Sequence, residues 1–286
     1  FKQKTAYEML RSLVGSEMCI RDRNKIAILG AGNLGISIAT GIVEKKLKSP
    51  SDIFLTRRHT GLLDKYRDLG YGVSSDNKKA VEQSEIIFLC VQPKQIDALI
   101  EVIKPVLRKD HILVSVITGV SLDLLREKIS GVVQLVRAMP NTAVAIGQSM
   151  TCLATQGADT ALEKVEPLFQ TLGLTLLIEE RLMQAATVLG ASGIAFFMRY
   201  LRAATQAGVQ MGFDTEEAQK IAVQTAKGAA SLILAHNSHP EVEIDKVTTP
   251  QGCTIEGLNE MEHQGFSSSL IKGVMTSFNK INQMKS

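Results

Sequence analysis

From residue 25 to residue 178, short apolar runs alternate with segments that have helical periodicity. The runs are rich in β-branched side chains and bounded by turn residues, which is typical of strands buried on both faces. Strands that alternate with amphipathic helices predict βαβ units and a mainly parallel sheet. The runs are residues 26–29, 52–56, 86–91, 112–117, 132–139, 149–154 and 174–178.

After residue 179 the strand pattern stops. Residues 180–211, 214–235 and 254–284 have helical composition, with breaks at Gly212 and around Pro240 and Pro250. Asp214, followed by acidic residues, predicts one helix start, and Ser267 after Gly265 suggests another. Alanine and glycine crowd these segments, so the helices can pack closely, and we expect their core to be completed by a second subunit. The predicted fold class is α/β: a Rossmann-type domain over residues 24–178, followed by an all-α dimerisation domain over residues 179–286.

The first 23 residues are interpreted separately. Residues 1–8 and 13–22 back-translate onto sequences that resemble a flow-cell adapter and a transposase-type library adapter. We therefore expect residues 1–23 to be a disordered, non-native leader. A targeting peptide and a short native helix are the alternatives, and the codons of the source DNA would decide between them.

Charge and cysteine content limit the classes of partner. Without the leader, 27 basic and 26 acidic residues remain, which gives no reason to expect a nucleic acid or a membrane surface. No apolar run reaches the roughly 18 residues that span a bilayer. Cys90, Cys152 and Cys253 are far apart, so we expect no metal site, no disulfide framework and a reducing cytoplasm.

A glycine-rich turn carries the clearest chemistry. The run Lys25–Leu29 is followed at once by Gly30-Ala-Gly-Asn-Leu-Gly35 and a predicted helix from Ile36 to Leu47. Gly30 would allow a tight turn, Gly32 the approach of a pyrophosphate, and Gly35 close packing of helix on strand. This strand, turn and helix predict a dinucleotide site.

The end of the second strand indicates which dinucleotide binds. A carboxylate there would hold a ribose 2′-hydroxyl, but this chain has Thr56, Arg57 and Arg58 instead. Guanidinium groups make bidentate contacts with phosphate oxygens, so the sequence favours NADPH, with NADH as the alternative. The other interpretation is that one of the two arginines only faces solvent.

Three later strands end in polar turns, namely Cys90–Lys94, Val116–Gly119 and Arg137–Asn141. Ligands of open α/β sheets bind beyond the carboxyl ends of the strands, so these turns predict one cleft. Arg137 is interpreted as part of an internal ion pair, with a substrate anchor as the alternative. His236 and His239 are interpreted as solvated side chains in a loop beside Pro240.

A second candidate site lies near the end of the chain. Residues 245–254 place threonines, a proline and a glycine before a predicted helix that starts near Thr254. Unpaired N–H groups at a helix start attract anions, so this turn is a candidate receptor for a carboxylate or a phosphate. An ordinary capped helix explains the pattern equally well.

The stretches ILGAGNLG, FLCVQPKQ, VITGV, LVRAMPNTA, LGASGIAFFMRYLRAATQAGVQMG, QTAKGAASLI and VTTPQGCTIEGL together resemble the pyrroline-5-carboxylate reductase family. The resemblance extends in order from about Asn24 to the end. It implies a Rossmann domain, a helical domain that interlocks into a homodimer, in many members assembled further into a ring, and NAD(P)H as reductant.

The resemblance also assigns residues by position. It implies that Thr249 and Thr254, with the amides of Gly252 and Cys253, hold the substrate carboxylate and ring nitrogen. The cofactor residues that it adds to the glycines and arginines above are Asn33, Leu34, Val91, Gln92, Pro93, Ala138, Met139, Pro140 and Asn141. The chain departs from the family pattern at four positions, Gly35, Gln92, Gln251 and Cys253. At position 251 the family usually has a glycine.

The implied reaction is reduction of 1-pyrroline-5-carboxylate to L-proline, the last step of proline biosynthesis, with Thr254 as the catalytic hydrogen-bond donor. A related NADP-dependent reductase of another cyclic imine or of a hydroxy acid is one alternative. A non-catalytic NADP(H)-sensing protein is the other, although a sensor has no need of the turn before Thr254.

Overall fold

The computed structural model describes residues 25–129, 133–157 and 159–283. The proposed leader, residues 1–23, lies outside them. Within the described residues the chain forms eight strands, and each predicted apolar run contains one of them. The strands are β1 (Ile26–Leu29), β2 (Ile53–Thr56), β3 (Gly72–Ser74), β4 (Ile86–Leu89), β5 (Ile112–Ser115), β6 (Gln134–Met139), β7 (Ser149–Thr155) and β8 (Gly173–Leu177).

The strands form one sheet in the order β3-β2-β1-β4-β5-β6-β7-β8. All neighbours are parallel except β6 and β7, where Val136 lies opposite Thr155 in an antiparallel register. The mainly parallel sheet is therefore confirmed. The strand order reverses between β1 and β4, and such a switch point is where doubly wound folds bind ligands.

Strand β3 was not predicted from the sequence. It is three residues long and lies at the edge of the sheet beside β2, with half-buried side chains. A strand this short has too few alternating positions to be distinguished from a turn.

Helices cover both faces of the sheet, which explains why the strand runs are apolar throughout. Alternate residues of a strand point to opposite faces. Ile28 and Phe88 belong to one buried cluster, which also contains Phe169, whereas Leu29 and Leu89 belong to the other. The helices of this part are α1 (Asn33–Glu44), α2 (Asp64–Asp68), α3 (Asn77–Glu82), α4 (Ile96–Ile103), α5 (Leu122–Ile129), α6 (Asp159–Gln170) and α7 (Met183–Ala186).

The chain divides into two compact units. Among the described residues, the first unit lies within residues 25–191 and also contains residues 281–283, and the second comprises Ser192–Lys280. The second unit is helical. Its elements are α8 (Gly193–Gln210), α9 (Thr215–His236), α10 (Pro240–Val247), α11 (Cys253–His263) and α12, which runs from Phe266 to Gln283.

The helix predictions for the second unit are largely confirmed. Helix α9 matches the predicted 214–235, with Asp214 as its N-cap residue and Glu216 and Glu217 in its first turn. The predicted helical segment 254–284 consists of two helices, α11 and α12, and they are divided at Gly265, which has φ +81° and after which the sequence suggested another helix start. A left-handed residue of this kind ends a helix, and glycine adopts it without strain.

The predicted helical segment 180–211 is confirmed, although it is not one uniform α-helix. It consists of a 3₁₀ turn (Glu180–Leu182), α7, a π-helical segment (Thr187–Ser192) and α8. His236 ends α9 and His239 precedes α10, on either side of a short non-helical connection, and both are exposed, which confirms the prediction of solvated histidines beside Pro240. His239 also caps α10 through Nδ1, which accepts the Glu241 N–H. Pro240 begins α10, and proline suits this first helical position.

By length and composition alone, the helical stretch Glu180–Gln210 contains an 18-residue window apolar enough to cross a membrane, with a mean hydropathy of 1.3. The core helix of a globular protein meets the same criterion, so one such helix is weak evidence of a membrane span. The expectation from the sequence concerned uninterrupted apolar runs, and Arg199 and Arg202 interrupt this stretch.

Candidate functional site

The glycine turn has the geometry that the sequence predicted. Gly30 has φ +95°, and a Cβ there would lie 2.8 Å from both the Cys90 carbonyl oxygen and Val91 Cγ1. A Cβ at Gly35 would lie 2.8 Å from Ile28 Cγ2, which confirms the close packing of α1 on β1. No side chain larger than hydrogen fits at either position without displacing its neighbours.

Gly32 differs from its two neighbouring glycines. A Cβ there would meet no heavy atom closer than the Gly30 carbonyl oxygen at 4.0 Å. Gly32 is the N-cap residue of α1, and no side chain caps that helix start. The helix therefore presents its first amides, at Asn33 and Leu34, beside open space, which is the arrangement that receives a pyrophosphate.

Thr56 holds the glycine turn in place through hydrogen bonds. Its carbonyl oxygen accepts the Gly30 and Ala31 N–H groups at 3.2 and 2.8 Å. Its side chain is 1% exposed, and its hydroxyl donates to Asn77 Oδ1 at 2.6 Å. The hydroxyl is thus already engaged, so in this structure Thr56 holds the turn and does not present a free group to a phosphate.

Asn77 was missed by the sequence analysis. It is the first residue of α3, directly after the N-cap Asp76, and it is half-buried. The pair Asp76-Asn77 before a helical segment is a recognisable helix start, but its pairing with Thr56, 21 residues earlier, is not visible in the sequence.

The two arginines after β2 lie in different surroundings. Arg57 is half-buried, and its Nη1 donates to the Ala31 carbonyl oxygen at 3.4 Å. Arg58 is exposed. Arg57 is therefore held beside the glycine turn, while Arg58 extends into solvent at the same strand end, where it is free to follow a ligand.

The turn after β4 lies at the carboxyl edge of the sheet beside Gly30. Val91 is half-buried, whereas Gln92 and Pro93 are exposed. The Gln92 N–H donates to Gln95 Oε1 at 3.1 Å, which closes the turn locally. Burial raises the pKa of the Cys90 thiol to about 12, so Cys90 stays protonated near neutral pH.

The turn after β6 is much less accessible. Ala138, Met139 and Pro140 are all buried. Asn141 uses its own polar groups within the protein: its Oδ1 accepts the Ala143 N–H at 3.0 Å and its Nδ2 donates to the Gly190 carbonyl oxygen at 3.3 Å. Asn141 thus ties β6 to the π-helical segment, and its side chain is not free for a cofactor.

Arg137 forms the internal ion pair that the sequence analysis preferred. Its side chain is 2% exposed, and its Nη1 lies 3.2 Å from Glu180 Oε1. Burial lowers the pKa of Arg137, and Glu180 opposes that shift. The guanidinium is enclosed and paired, so it is not a substrate anchor in this structure.

The candidate substrate turn lies in the second unit. The Gly252 N–H donates to the Thr249 carbonyl oxygen at 2.9 Å across Pro250 and Gln251, and Gln251 has φ +58°. Proline at the second position and a left-handed third residue define a type II β-turn. Glycine suits that third position best, which explains why the family pattern has glycine where this chain has Gln251.

The turn leads directly into α11. Gly252 is the N-cap residue, and no side chain caps the helix start. A Cβ at Gly252 would lie 2.5 Å from Thr249 Oγ1, so this glycine lets the Thr249 hydroxyl approach the helix start. Thr254, the second residue of α11, is half-buried. The hydroxyls of Thr249 and Thr254 and the first amides of α11, those of Cys253 and Thr254, therefore lie close together in the sequence.

Other chemistries have less support within the residues that the structure describes. No group of three His, Cys, Asp or Glu side chains there could hold a metal ion. Cys90, Cys152 and Cys253 are free thiols, and burial also raises the pKa of Cys152.

Two family models match the chain. Residues 180–284 match the model for pyrroline-5-carboxylate reductase dimerisation, which includes the apolar stretch from Glu180. Residues 25–119 match the model described as NADP oxidoreductase, coenzyme F420-dependent, which includes the glycine turn and the ends of β2, β4 and β5.

Characterised proteins and solved structures give the same result. Pyrroline-5-carboxylate reductases 1 and 2 of Dictyostelium discoideum are 47% and 43% identical over 90% and 91% of this chain. The chain spans about half (49%) of the length of the first and 93% of the second. The pyrroline-5-carboxylate reductase of Arabidopsis thaliana is 34% identical over 88% of this chain and 92% of its own length.

Two structures share the fold at lower identity. The Plasmodium falciparum pyrroline carboxylate reductase, solved with NADP bound, has a TM-score of 0.84 at 23% identity over 93% of this chain and 99% of its own. The Coxiella burnetii pyrroline-5-carboxylate reductase has a TM-score of 0.85 at 24% identity over 92% and 99%. These two structures show the shared fold. Because the second Dictyostelium discoideum relative and the Arabidopsis thaliana relative are 43% and 34% identical over 93% and 92% of their own lengths, the chain belongs to the pyrroline-5-carboxylate reductase family.

Proposed function

We propose that this protein reduces 1-pyrroline-5-carboxylate to L-proline with a reduced nicotinamide cofactor, the last step of proline biosynthesis. The observation that carries the proposal is the type II turn Thr249–Gly252, which places two hydroxyls and an uncapped helix start together. A small cyclic imino acid needs both an anion site for its carboxylate and a donor beside its ring nitrogen. This turn offers both.

The first unit fits a dinucleotide. Gly30 and Gly35 leave no room for side chains, Gly32 leaves open space above the start of α1, and Arg57 lies beside the turn. We assign the pyrophosphate to the amides of Asn33 and Leu34, above Gly32, whose own N–H donates to the Gly30 carbonyl oxygen. We assign a 2′-phosphate to Arg57 and Arg58. NADPH is therefore the preferred reductant, and NADH is the weaker alternative.

The nicotinamide half is assigned to the turns after β4, β5 and β6. Of these, the exposed side chains Gln92 and Pro93 are able to contact a ligand directly, together with half-buried Val91. Ala138, Met139 and Pro140 are buried, so we assign them to the floor of the site. Thr56, Asn77 and Asn141 keep the glycine turn and the β6 turn in position through their own hydrogen bonds.

The protein needs to supply little acid–base catalysis for this reaction. When bound, the reduced nicotinamide supplies a hydride to the imine carbon, and the ring nitrogen carries the proton that makes that carbon electrophilic. The Gly252 N–H is already engaged by the Thr249 carbonyl oxygen, so we assign the carboxylate to the amides of Cys253 and Thr254 and not to that of Gly252. The Thr254 hydroxyl donates to the ring nitrogen. Reaction also requires the two reacting carbons to come within about 3–3.5 Å of each other.

We propose a homodimer, assembled further into a ring, built through the segment that the dimerisation model matches. The helical unit leaves large apolar side chains exposed, among them Phe197, Met198 and Leu234. A second subunit is the natural cover for such a surface. A cytoplasmic location is proposed from the three free thiols, which are typical of a reducing compartment.

A direct assay tests the function. Purified protein is mixed with NADPH and 1-pyrroline-5-carboxylate, and the fall in reduced-nicotinamide absorbance and the appearance of L-proline are followed together. Loss of NADPH in step with proline formation is expected. Oxidation of NADPH only with a different cyclic imine or a hydroxy acid, or tight NADPH binding without any turnover, would contradict the proposal.

A further inference from the structure

Glu180 is a nearly buried carboxylate that no step of the proposed reaction uses. Its side chain is 14% exposed, and it is the first residue of the short 3₁₀ turn Glu180–Leu182, whose N-cap residue is Glu179. Its Oε1 accepts the Leu122 N–H at 2.6 Å and an Arg137 N–H at 3.2 Å. Its Oε2 accepts from Gln156 Nε2 at 3.1 Å. Each carboxylate oxygen is therefore engaged by a different part of the first unit.

The contact with Leu122 reaches the cofactor edge of the sheet. Leu122 is the first residue of α5, and the five residues before it form the turn after β5, Ile117–Ser121. That turn begins beside β4, where the Val116 N–H donates to the Leu89 carbonyl oxygen at 3.3 Å, and contains Gly119 with φ +81°. Its exposed residue, Thr118, lies at the edge assigned to the nicotinamide half.

Local capping does not account for the Leu122 N–H. The Ser121 side chain accepts from Leu124, and the Ser121 carbonyl oxygen accepts from Leu125. The first N–H of α5 instead goes to a carboxylate 58 residues later in the chain. A negative charge at a helix start also interacts favourably with the helix dipole, so this one contact fixes where the turn ends.

The negative charge of Glu180 is needed to compensate the positive charge of Arg137. Arg137 is buried, and neither its Nε nor its Nη2 has a partner among the residues that the structure describes. Glu180 is therefore the carboxylate that compensates this guanidinium. Because Arg137 is fixed on β6, next to β5, the ion pair fixes Glu180 in turn relative to the sheet.

We infer that Glu180 is a positioning residue for the cofactor: through the Leu122 N–H it holds the Ile117–Ser121 turn in the shape that receives the nicotinamide half. Glu180 is also the first residue that the dimerisation model matches. The inference rests on the proposed function only in so far as a nicotinamide cofactor binds at this edge, and it does not depend on which imine is reduced.

Glu180→Gln is the informative variant, because glutamine keeps an oxygen for Leu122 but loses the charge. Glu179→Gln is the matched control, since the neighbouring Glu179 is exposed and pairs only with exposed Arg181. NADPH binding is measured without substrate, by nicotinamide fluorescence, which is undisturbed by protein tryptophan because the chain has none. Hydrogen exchange of residues 116–124 is measured on the same samples.

We expect Glu180→Gln to raise the Kd for NADPH about tenfold, as for loss of one charge-assisted hydrogen bond. Exchange in residues 116–124 should become faster. KM for NADPH should rise while KM for 1-pyrroline-5-carboxylate stays within about twofold, because the substrate turn is untouched. Glu179→Gln should change none of these quantities.

A Glu180→Gln protein that is less stable to heat yet binds NADPH as tightly as Glu179→Gln would overturn the inference. If the variant does not fold, the unaltered protein still gives a test: NADPH must slow exchange both at the Leu122 amide and in residues 179–182. Slowing at the glycine turn alone would also overturn it. Because binding is measured without substrate, a failure to reduce the imine would count against the proposed function and not against this inference.

Discussion

At the scale of single residues, the structure separates side chains that hold the site from side chains that are free to bind. Thr56 and Asn141 have the right sequence positions for cofactor contacts, but their polar groups are engaged within the protein. Arg58, Gln92 and Thr249 are exposed. Substitution of an engaged side chain should therefore lower stability, whereas substitution of an exposed side chain should weaken ligand binding.

The hydroxyl of Thr254 is the first test. We expect Thr254→Ala to lower kcat/KM by about one to three orders of magnitude, the range for losing one oriented polar contact. Thr215→Ala is the control, because Thr215 is also in the first turn of a helix but is exposed on α9. Steady-state kinetics with NADPH and 1-pyrroline-5-carboxylate measure the effect, and near-normal kinetics would remove Thr254 from the mechanism.

The two arginines after β2 are the second test. Replacing both Arg57 and Arg58 with alanine should raise KM for NADPH at least about tenfold, because charged contacts with the 2′-phosphate are lost. KM for NADH, which lacks that phosphate, should change little. Comparing kcat/KM for the two reductants measures the change in preference. An equal loss with both would mean that these arginines do not recognise the phosphate.

At the scale of elements, the strand β1, the glycine turn and α1 form one unit whose glycines have distinct roles. Gly32→Ala adds a methyl group with no heavy atom within 4.0 Å and an ordinary φ of −87°, so the fold should keep its Tm. The same methyl group enters the space assigned to the pyrophosphate. We expect NADPH binding to weaken by at least about tenfold, measured by calorimetric titration.

Gly30→Ala is the contrasting variant. Its Cβ would meet the Cys90 carbonyl oxygen at 2.8 Å, and φ +95° is strained for alanine. This variant should lose both thermal stability and NADPH affinity. If Gly32→Ala unfolds as readily as Gly30→Ala, the open space above Gly32 is not a ligand site.

The start of β5 makes folding depend on pH. His111 is fully buried just before that strand, its Nδ1 accepts the Arg108 N–H at 3.1 Å, and burial, with Arg108, lowers its pKa from 6.5 to about 4. The unfolded chain therefore takes up a proton at a higher pH than the folded protein. The stabilisation is complete above pH 6.5 and is lost as the pH falls towards 4, by about 3 kcal/mol in total.

Urea unfolding at pH 7 and pH 5 measures this dependence. His111→Asn keeps an acceptor for the Arg108 N–H and has no titrating group, so its free energy of unfolding should fall less between the two pH values. The difference between the two proteins should be about 2 kcal/mol at pH 5. Parallel pH profiles would show that folding does not lower the pKa of His111.

At the scale of the whole molecule, the helical unit carries the features of an incomplete surface. Leu234 on α9 is 70% exposed, and large apolar side chains of α8 and α12 are exposed as well. We expect Leu234→Glu to shift the protein to a smaller oligomer in light-scattering measurements, because a buried unpaired charge at an interface is costly. The Tm should also lose its dependence on protein concentration.

Leu69→Glu is the control for this test. Leu69 is 63% exposed, close to Leu234, but it follows α2 in the first unit. It should leave the oligomer intact. If both variants, or neither, change the mass in solution, the α9 surface is not the assembly interface.

The sequence by itself determined the features that depend on local conformation. The period of apolar positions specifies strands and helices, and the spacing of Gly30, Gly32 and Gly35 specifies a turn in which Gly30 and Gly35 have no room for a side chain. The break at Gly265 and the start of α9 after Asp214 are equally local. These could be predicted because neighbouring residues are sufficient to define them.

Tertiary structure alone decided which polar side chains stay available. The Thr56 hydroxyl is engaged by Asn77, and the Leu122 N–H by Glu180, each across a long stretch of chain. Edge strand β3 is likewise defined by its pairing with β2. A buried polar group must find a partner, and the identity of that partner depends on which distant segments the fold brings together, which no local pattern records.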